Sequence, residues 1–381
     1  MVPIALVFSY SLSYCRSIMR GIRAFAKSRP EWVLLPASHE LHAVKTLRER
    51  HPRGIIGHIY SNEVANELQA MRKPVVNVCG IMPWLRLPRV GVDDAGIGRM
   101  AALHLADRGL EHFAFIGHDK QGASVERLRG FREALSDYHV HVHYWPKEGF
   151  QPQGWAASST TDLLRWLTEL PKPVGLFVAG DVWGLQISEF CRQLKLKVPE
   201  EVAILGVDND DLYCEMSRPS LSSIAVPGEK VGHEAAALLE RLLHGGAAPK
   251  TPLLLPPVGV VTRQSTDLLA IRDLDIVKAL GLIRSQIASP LSVADVVEHV
   301  AVSRRSLERK FRSTIGRGIG VEIRRQRIER AKDLLVHTDL PMSRVALQSG
   351  FASSKQLSVT FRQSTGLTPS GYRRRNALEQ S

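Results

Sequence analysis

The sequence lacks the features that define several large functional classes. Its four cysteines lie far apart and form no CxxC pair, which argues against a disulfide framework and a thiolate zinc site. No apolar run approaches the roughly 20 residues that a membrane helix needs. No GxGxxG or GxxxxGKS/T element follows a predicted strand, which disfavours a nucleotide-dependent enzyme. The run MVPIALVFSYSLSYC has neither a basic leader nor a cleavage site, so we expect a cytoplasmic protein.

The residues that are present indicate two or three domains with an uneven charge distribution. A chain of 381 residues with 44% hydrophobic and 23% charged residues has a globular composition and is long for one core. The net charge is +12, yet residues 270–381 contain 20 Lys and Arg against 10 Asp and Glu, whereas residues 1–269 contain 30 against 28. We therefore expect a basic domain that binds a polyanion, joined to a nearly neutral body.

A short basic segment occurs twice near the carboxyl end, as SRRSLERKFRSTIG and as SSKQLSVTFRQSTG. In each copy a leucine and a phenylalanine four residues apart share one helix face. Each copy follows another short helical pattern, SVADVVEHV or MSRVALQSGF, and VEIRRQRIERAKDLLVHT between them predicts a long connecting helix. Two helix-turn-helix units are therefore predicted. The identical pairs are Ser303/Ser353, Leu307/Leu357, Phe311/Phe361, Arg312/Arg362 and Gly316/Gly366.

These units predict DNA binding, because the second helix of such a unit fits the major groove while cationic side chains hold phosphates. Arginine and glutamine can make bidentate contacts with guanine and adenine. One isolated basic helix would be interpreted as a solvated surface, but two copies with a shared connector favour DNA. The candidate DNA-binding residues are Ser303, Arg304, Arg305, Ser306, Glu308, Arg309, Ser353, Ser354, Lys355, Gln356, Ser358 and Arg325.

The stretch VALQSGFASSKQLSVTFRQSTGLTPSGYRRR resembles the signature of AraC-type transcription regulators. The resemblance covers about the last hundred residues. Leu357 and Val297 replace the phenylalanine and alanine that are usual in the family, which bears on local packing. The matching features are Gly350-Phe351, Gly366, Pro369 and Tyr372-Arg373.

Upstream, short apolar runs such as VPIALVF, GIIGHI, PVVNV, FAFIG, GLFVAG and VAILGVD alternate with amphipathic stretches. This alternation predicts parallel β-sheets with helices on both faces, in which ligands bind beyond the carboxyl ends of the strands. Polar residues stand at these ends, as at residues 9–16, 93–94 and 208–210. A pocket with Asp, Asn, Arg and an aromatic ring suits a sugar, because vicinal hydroxyls both donate and accept hydrogen bonds.

Residues 2–266 resemble LacI-type sugar sensors and periplasmic sugar-binding proteins, through ERLRGFREAL, GDVWGL, LKVPEEVAILGVDNDD, RPSLSSIAVP, VGHEAAALLERLL and LLLPPVGVVTRQST. The resemblance implies that Arg127 and Asp208 contact the sugar and that Asp181 matches an aspartate of the second lobe. Gly180 stands where many relatives have Asn, which removes one expected hydroxyl contact. The candidate ligand-binding residues are Arg127, Asp181, Asp208, Asn209, Tyr14, Asp93 and Trp183.

Together the resemblances imply an α/β two-lobed periplasmic-binding-protein-like sensor at residues 1–268, a linker at 269–275 and an all-α AraC-type domain with two helix-turn-helix units at 276–376. They imply a cytoplasmic regulator that activates genes for the use of D-xylose or a related aldose. The expected partners are double-stranded DNA, the sugar effector, a second copy of the chain bound through the sensor domain, and RNA polymerase. We expect no cofactor, no metal and no membrane contact.

Four of the candidate ligand residues have a simpler interpretation that the residues alone leave open. Arg127 could form a surface ion pair with a nearby glutamate. Asp208 could stabilise its own turn. Trp183 and Tyr14 could stack on a sugar, but ordinary packing is the more common role of such rings.

The segment HVHVH at residues 139–143 places three histidines on one face of a predicted strand, a spacing that can bind zinc. Because no fourth ligand lies nearby in the sequence, a partly exposed strand face is the favoured interpretation. The alternative function for the whole chain is a sugar-processing enzyme with an accessory nucleic-acid-binding tail. The sequence offers no recognisable acid–base pair or nucleophile set for it.

Overall fold

A computed structural model describes residues 1–145, 157–267, 274–289, 291–315, 317–338 and 340–379. The chain forms two compact units, Met1–Leu268 and Leu269–Ser381, which we call the sensor domain and the helical domain. Most of the linker predicted at 269–275 and Gly316 of the repeat lie outside the described residues. None of the helices that the structure describes is long and apolar enough to cross a membrane.

The described strands of the sensor domain form two sheets, parallel except for the edge strand β12, and a two-stranded parallel pair. They are β1 (Val2–Phe8), β2 (Trp32–Ser38), β3 (Gly54–Gly57), β4 (Val75–Asn77), β5 (Val90–Val92), β6 (His112–Gly117), β7 (Val140–Tyr144), β8 (Val174–Val178), β9 (Val202–Asp208), β10 (Ser222–Ala225), β11 (Leu253–Leu255) and β12 (Gly259–Val261). The strand orders are β2-β1-β3-β4 in the first lobe, β12-β10-β9-β8-β6-β7 in the second lobe and β11-β5 in the pair.

Burial explains which strands the sequence pattern revealed. The central strand β1 is buried from Ile4 to Phe8 and therefore reads as a continuous apolar run. Strand β12 runs antiparallel to β10, whereas the neighbouring pair β10 and β9 is parallel. The sequence analysis missed β2, which lies at a sheet edge, is mostly half-buried and contains Pro36. The predicted fold of parallel sheets covered by helices is confirmed.

Helices on the sheets carry several of the candidate residues. Helices α4 and α5 pack closely because glycines stand at their contact: a Cβ on Gly98 would lie 2.0 Å from the carbonyl oxygen of Arg127, and one on Gly130 would lie 2.0 Å from that of Ala95. This contact fixes the start of α4 beside α5. The helices are α1 (Ser13–Ala26), α2 (Leu41–Thr46), α3 (Asn62–Ala70), α4 (Asp94–Ala106), α5 (Gly122–Ala134), α6 (Ala157–Glu169), α7 (Asp181–Gln193), α8 (Asp211–Met216) and α9 (Gly228–Leu243).

The helical domain has two small hydrophobic cores that share one long helix. Its helices are α10 (Leu274–Ser285), α11 (Val293–Val300), α12 (Arg304–Ile315), α13 (Ile319–His337), α14 (Met342–Gln348), α15 (Ser354–Thr365) and α16 (Pro369–Glu379). Ile319 and Ile323 of α13 belong to the core with α10, α11 and α12. Ile328 and Leu335 belong to the core with α14 and α15. The predicted connector therefore joins two helix-turn-helix units by contributing to both cores.

Local capping explains where the helices of these units begin. Ser292 and Asp295 form a reciprocal capping box at the start of α11. The hydroxyls of Ser303 and Ser353 accept hydrogen bonds from the backbone three residues later, both at 3.2 Å, so both serines are N-caps. In the turn between α14 and α15, Gly350 has φ +79°, and a Cβ there would lie 2.1 Å from the carbonyl oxygen of Ile287, so only glycine fits.

Candidate ligand site and nucleic-acid interface

Polar side chains from both lobes of the sensor domain meet beyond the carboxyl ends of the strands. They follow β1, β3 and β5 in the first part of the chain, end β9 in the second lobe, and include one arginine from α5. Hydrogen bonding, ring contacts and electrostatic interactions connect them. We call this group the cleft cluster, and its residues are Tyr14, His58, Asp94, Arg127, Asp208 and Asn209.

Arg127 is the cation of the cleft cluster and is held in place from two sides. Its Nε donates to Asp94 Oδ1 at 2.9 Å, and its Nη1 donates to the carbonyl oxygen of Ala179 at 2.7 Å. Both side chains of the ion pair are 13% exposed. Burial opposes the charged form of Arg127, but the carboxylates of Asp94 and Asp208 raise its pKa above the ordinary value. The surface ion pair with a glutamate is instead made by Arg129, two residues further along α5, on the outer face.

Asp208 and Asn209 form a strained tip at the end of β9. Their φ angles are +104° and +50°, in a region that non-glycine residues rarely adopt. Burial raises the pKa of Asp208 to about 6, against the attraction of Arg127 and with the repulsion of Asp94 and Asp210. The backbone N–H of Asn209 donates to Ser223 Oγ at 3.0 Å. Within the described part of the chain, the buried Oδ1 of Asn209 has no hydrogen-bond partner.

Asp181 lies behind this tip, where it braces the loop from within the protein. Its Oδ2 accepts from the backbone N–H of Asp210 at 2.8 Å, and its Oδ1 accepts from Ser223 Oγ at 2.6 Å. The residue is 2% exposed, and burial raises its pKa well above the ordinary value, with Asp208 adding to the shift. The structure thus gives Asp181 protein partners on both oxygens and makes it a positioning residue for the tip.

Tyr14 and His58 form the part of the cleft cluster that belongs to the first lobe. Their rings meet edge to face with centroids 6.2 Å apart. Burial lowers the pKa of His58 to about 4, so the imidazole is neutral at neutral pH. Burial, with Asp94 second, raises the pKa of Tyr14 well above its ordinary value. Among the described residues nothing hydrogen-bonds to the buried Nδ1 of His58.

His58 was not predicted from the sequence, and Asp94 was noted only as a polar residue at a strand end, within residues 93–94, and not as a candidate ligand residue. His58 directly follows β3, at the same strand end that marked the other candidates. For Asp94, the role of the preceding residue, Asp93, explains which of the two adjacent aspartates joins the cleft cluster. Asp93 is the N-cap of α4 and accepts from the N–H of Gly96 at 2.8 Å, while its other oxygen accepts from Arg99 at 3.2 Å. The cap occupies Asp93, and the next residue points to the cluster.

Trp183 lies on an aromatic stack of the second lobe. Its ring is stacked on that of Trp145, with centroids 4.6 Å apart and planes at 26°. His118, which follows β6, contacts Trp183 edge to face at 5.8 Å. Packing is therefore established for this ring. Of the three histidines in the segment 139–143, His139 is exposed and precedes β7, whereas His141 and His143 lie on β7 and are half-buried. Among the described residues, no group of three or more His, Cys, Asp or Glu side chains could hold a metal ion.

The helical domain presents two matching polar faces, on α12 and α15. Leu307 and Phe311 of α12 and Leu357 and Phe361 of α15 are all fully buried. The opposite faces are exposed and carry the predicted DNA contacts. The exposed residues of these faces are Arg304, Arg305 and Arg309 on α12 and Ser354, Lys355, Gln356 and Ser358 on α15, while Ser306 and Glu308 are half-buried.

Besides the capping serines Ser303 and Ser353, two further candidate DNA contacts, Gln356 and Arg325, are already engaged within the protein. The Oε1 of Gln356 accepts from the backbone N–H of Ala352 at 3.0 Å. Arg325 is bound to Glu322 through two hydrogen bonds, of 2.9 and 3.2 Å. Glu322 is 1% exposed, and although burial opposes its ionisation, hydrogen bonds from Arg325, Gln326 and Arg317 lower its pKa to about 2. Arg325 therefore stabilises α13 whether or not it also reaches a phosphate.

Comparison with known domain families agrees with both parts of the fold. Residues 102–266 match a periplasmic binding protein-like domain. Residues 296–375 match a helix-turn-helix domain, and this range includes α12, α13, α14 and α15. The two matched ranges lie in different compact units of the chain.

Comparison with individual proteins extends the similarity over nearly the whole chain. The xylose operon regulatory protein of Haemophilus influenzae is 29% identical over 378 residues, which cover 97% of each chain. That of Escherichia coli K12 is 27% identical over 97% of this chain and 96% of its own. The solved structure of a xylose-binding transcription activator is 27% identical, has a TM-score of 0.77 and covers 98% of each chain. The predicted combination of a sensor with a double helix-turn-helix domain is confirmed.

Proposed function

We propose that this chain, a sugar-responsive transcription regulator of the xylose operon type, binds D-xylose or a related aldose at the cleft cluster and activates transcription from the DNA to which its helical domain binds. The similarity along both domains supports the class of regulator. The choice of sugar and the direction of the response are the parts that need experiment. Because the proposed partner is operator DNA, the proposed site of action is the cytoplasm.

The observation that carries the ligand site is a buried ionic group with hydrogen-bonding atoms left over. The hydrogen bond between Arg127 and Asp94 uses only part of the hydrogen-bonding capacity of the two side chains, and Asp208 lies close to both. Buried polar atoms in proteins are nearly always paired, yet Asn209 Oδ1 and His58 Nδ1 have no partner among the described residues. A ligand with several hydroxyls would supply the missing donors and acceptors.

An aldose fits this arrangement by its chemistry. One hydroxyl can donate to Asp208 while accepting from Arg127, and a neighbouring hydroxyl can donate to Asn209 Oδ1. The neutral ring of His58 can accept a hydrogen bond from a third hydroxyl at Nδ1. Hydrogen bonds to charged groups contribute about 1.5–3 kcal/mol each. Asp181 acts indirectly, since it holds the backbone of the loop that carries Asp208 and Asn209.

Two further partners belong to the proposal. A second copy of the chain would bind through the sensor domain, as the resemblance to LacI-type sensors implies, and sedimentation of the full chain measures this. Contact with RNA polymerase would follow from activation. A reporter promoter that carries a selected operator should become more active when the sugar is added, and a decrease would show a repressor.

The alternative, a sugar-processing enzyme, is distinguished by the fate of the sugar. We propose that the chain is not an enzyme, since its similar proteins are regulators of transcription. Prolonged incubation with a binding aldose should leave that sugar unchanged by chromatography. Conversion of the sugar at a rate above that of an Arg127→Ala control would favour the enzyme.

The direct test of the proposed function combines calorimetry and footprinting on the full chain. Calorimetry against D-xylose, D-ribose, L-arabinose and D-glucose should find one preferred aldose. DNA selected from random duplexes by the full chain should then show a protection pattern that changes when this aldose is present. Absence of heat with every aldose at millimolar concentration, or a footprint that the bound sugar leaves unaltered, would contradict the proposal.

A further inference from the structure

The two recognition helices differ at the position that points most directly outward. Arg309 of α12 and Val359 of α15 occupy the same place in the repeat, 50 residues apart. In each helix this position lies midway between the two buried core residues, four positions apart, and at about 100° per residue it therefore faces the opposite side. Arg309 is exposed, and Val359 is 52% exposed.

The surroundings of Val359 are polar. Lys355 precedes it by one turn, Gln363 follows it by one turn, and both are exposed, as is Arg362. An aliphatic side chain in the centre of such a face gains nothing from the fold, since its neighbours on the helix are charged or amide groups. In the major groove, by contrast, the 5-methyl group of thymine is the apolar feature, and aliphatic side chains contact it.

We propose that Val359 is a specificity-determining residue that contacts the methyl group of a thymine, and that the two helices read segments of different composition. Arg309, with Arg305 one turn before it, presents guanidinium groups that suit guanine O6 and N7. The segment under α12 is then marked by guanine and the segment under α15 by thymine. This inference rests on the proposed DNA-binding function and assigns a base class to each helix.

The test replaces thymine with deoxyuridine, which removes the methyl group and leaves base pairing intact. The probe is a duplex selected from random sequences by the full chain, with single substitutions along the segment that α15 protects. Burial of one methyl-sized group contributes about 0.8 kcal/mol, which corresponds to about fourfold in affinity. The parent should lose about this factor at one thymine. Val359→Ala should bind the unmodified duplex more weakly by a similar factor and show no further loss at that position.

Two variants sharpen the result. Leu347→Ala removes an aliphatic side chain that is 59% exposed on α14 and should keep the full sensitivity to deoxyuridine. Val359→Arg copies the residue of α12, and selection with this variant should replace the thymine by guanine. Because Val359 is exposed, these substitutions should leave the unfolding transition of the helical domain unchanged, which calorimetry checks.

The outcomes separate this inference from the proposed function. A parent that protects two segments but tolerates deoxyuridine at every position overturns the role of Val359 and leaves the regulator intact. Equal sensitivity in the parent and Val359→Ala overturns it as well, as does a selected segment without thymine under α15. A parent that selects no DNA sequence overturns both proposals.

Discussion

The pKa of a carboxylate in the interior is shifted in opposite directions in the sensor domain and in the helical domain. In the sensor domain, burial dominates and raises the pKa of Asp208 to about 6. In the helical domain, hydrogen bonds from Arg325, Gln326 and Arg317 dominate and lower the pKa of Glu322 to about 2. The first carboxylate destabilises the folded protein when it is ionised, whereas the second stabilises it. A carboxylate that is ionised at a cost to folding is a candidate for ligand binding, as we propose for Asp208, and one that several hydrogen bonds stabilise in its charged form, such as Glu322, has a structural role.

The domains also differ in where they keep their cations. The cation that matters for the proposed ligand is Arg127, which is buried and paired. The cations proposed to meet DNA, such as Arg305 and Lys355, are exposed on helix faces. Buried pairs respond strongly when one partner is removed and weakly to salt, whereas exposed cations contribute little to folding and respond strongly to salt.

The largest effect is expected from separating the domains. Residues 270–381 contain ten of the twelve net positive charges and both helix-turn-helix units. This fragment should bind DNA, with an affinity that falls steeply as salt rises because phosphate contacts release counterions. Sugar should have no effect on it, and residues 1–268 should bind sugar without binding DNA. Titration of both fragments at several salt concentrations measures this, and DNA binding by the sensor fragment would contradict the division.

Arg127→Ala should have the next largest effect, on sugar affinity and on the stability of the sensor domain. It leaves Asp94 and Asp208 without their cation, and breaking such a buried pair destabilises the fold by about 3–5 kcal/mol. It also removes charge-assisted hydrogen bonds to the sugar, which contribute about 1.5–3 kcal/mol each. Calorimetry with the preferred aldose should show a loss of at least a hundredfold in affinity, while DNA binding without sugar is unchanged. Equal sugar affinity in the variant and the parent would remove the cleft cluster from the ligand site.

The same helix offers a matched control for that substitution. Arg129 lies two residues away on α5, is 49% exposed and pairs with Glu126 and Glu133 on the surface. Exposed pairs contribute about 0–1 kcal/mol. Arg129→Ala should therefore bind the aldose as the parent does. A similar loss in both variants would indicate damage to α5 and not the removal of a ligand contact.

Two substitutions of an acid by its amide should change stability in opposite directions. Glu322→Gln removes a carboxylate whose pKa lies below the ordinary value, so stability present above about pH 4.5 is lost, by about 2–3 kcal/mol. Asp208→Asn removes one whose pKa lies above the ordinary value, and the sensor domain should gain about 1–2 kcal/mol at pH 7 while losing affinity for the aldose.

The pH dependence should show the same two signs when each parent fragment is compared with its amide variant. Relative to Asp208→Asn, the stability of the parent sensor domain should fall as pH rises from about 4 to about 6, because folded Asp208 retains its proton in that window. The comparison with the variant is needed because His58 and His104, whose pKa values burial lowers to about 4 and about 3, act with the opposite sign in both proteins. Relative to Glu322→Gln, the stability of the parent helical domain should fall as pH drops from about 4.5 towards 2, because Glu322 must then be protonated. Scanning calorimetry of the fragments and their variants measures both differences, and differences of the same sign would contradict the assignment.

The sequence predicted what depends on periodicity and local signals. The parallel strands and the two helix pairs follow from apolar spacing, and the caps at Ser292, Ser303 and Ser353 are equally local, because their side chains bond within three residues. The strand-end rule indicated residues 208–210, and the resemblance named Arg127 and Asp208, two residues that the structure places close together. These features are local, so a single sequence contains them.

The sequence could not decide which of several similar aspartates has which role. The pair Asp93 and Asp94 looks equivalent in sequence, but one caps α4 and the other meets Arg127 across a contact that depends on Gly98 and Gly130. Asp181 resembles a ligand residue in sequence, and in the structure its Oδ2 accepts a hydrogen bond from the backbone of Asp210 and so stabilises that loop. Such roles are set by packing between distant segments, which periodicity does not report.

The smallest effects are expected from substituting single residues that contact bases. These substitutions test why the basic segment is present twice. Helix α13 spans 19 residues, or about 28 Å, enough to hold two recognition helices at successive major grooves about 34 Å apart once their own width is included. One protomer should then protect two segments about 10 base pairs apart on one face of the DNA.

Arg305→Ala and Gln356→Ala should each relax sequence preference by about 1–2 kcal/mol, in different segments. The loss at Gln356 should be the smaller, because bidentate contact with adenine requires its Oε1 to leave the N–H of Ala352. Arg325→Ala should weaken binding uniformly if it reaches a phosphate, and should lower stability in either case, since it pairs with Glu322. Footprinting with selected duplexes measures the pattern. If both substitutions altered the same base pairs, the two copies would not be independent readers, and the repeat would need another explanation.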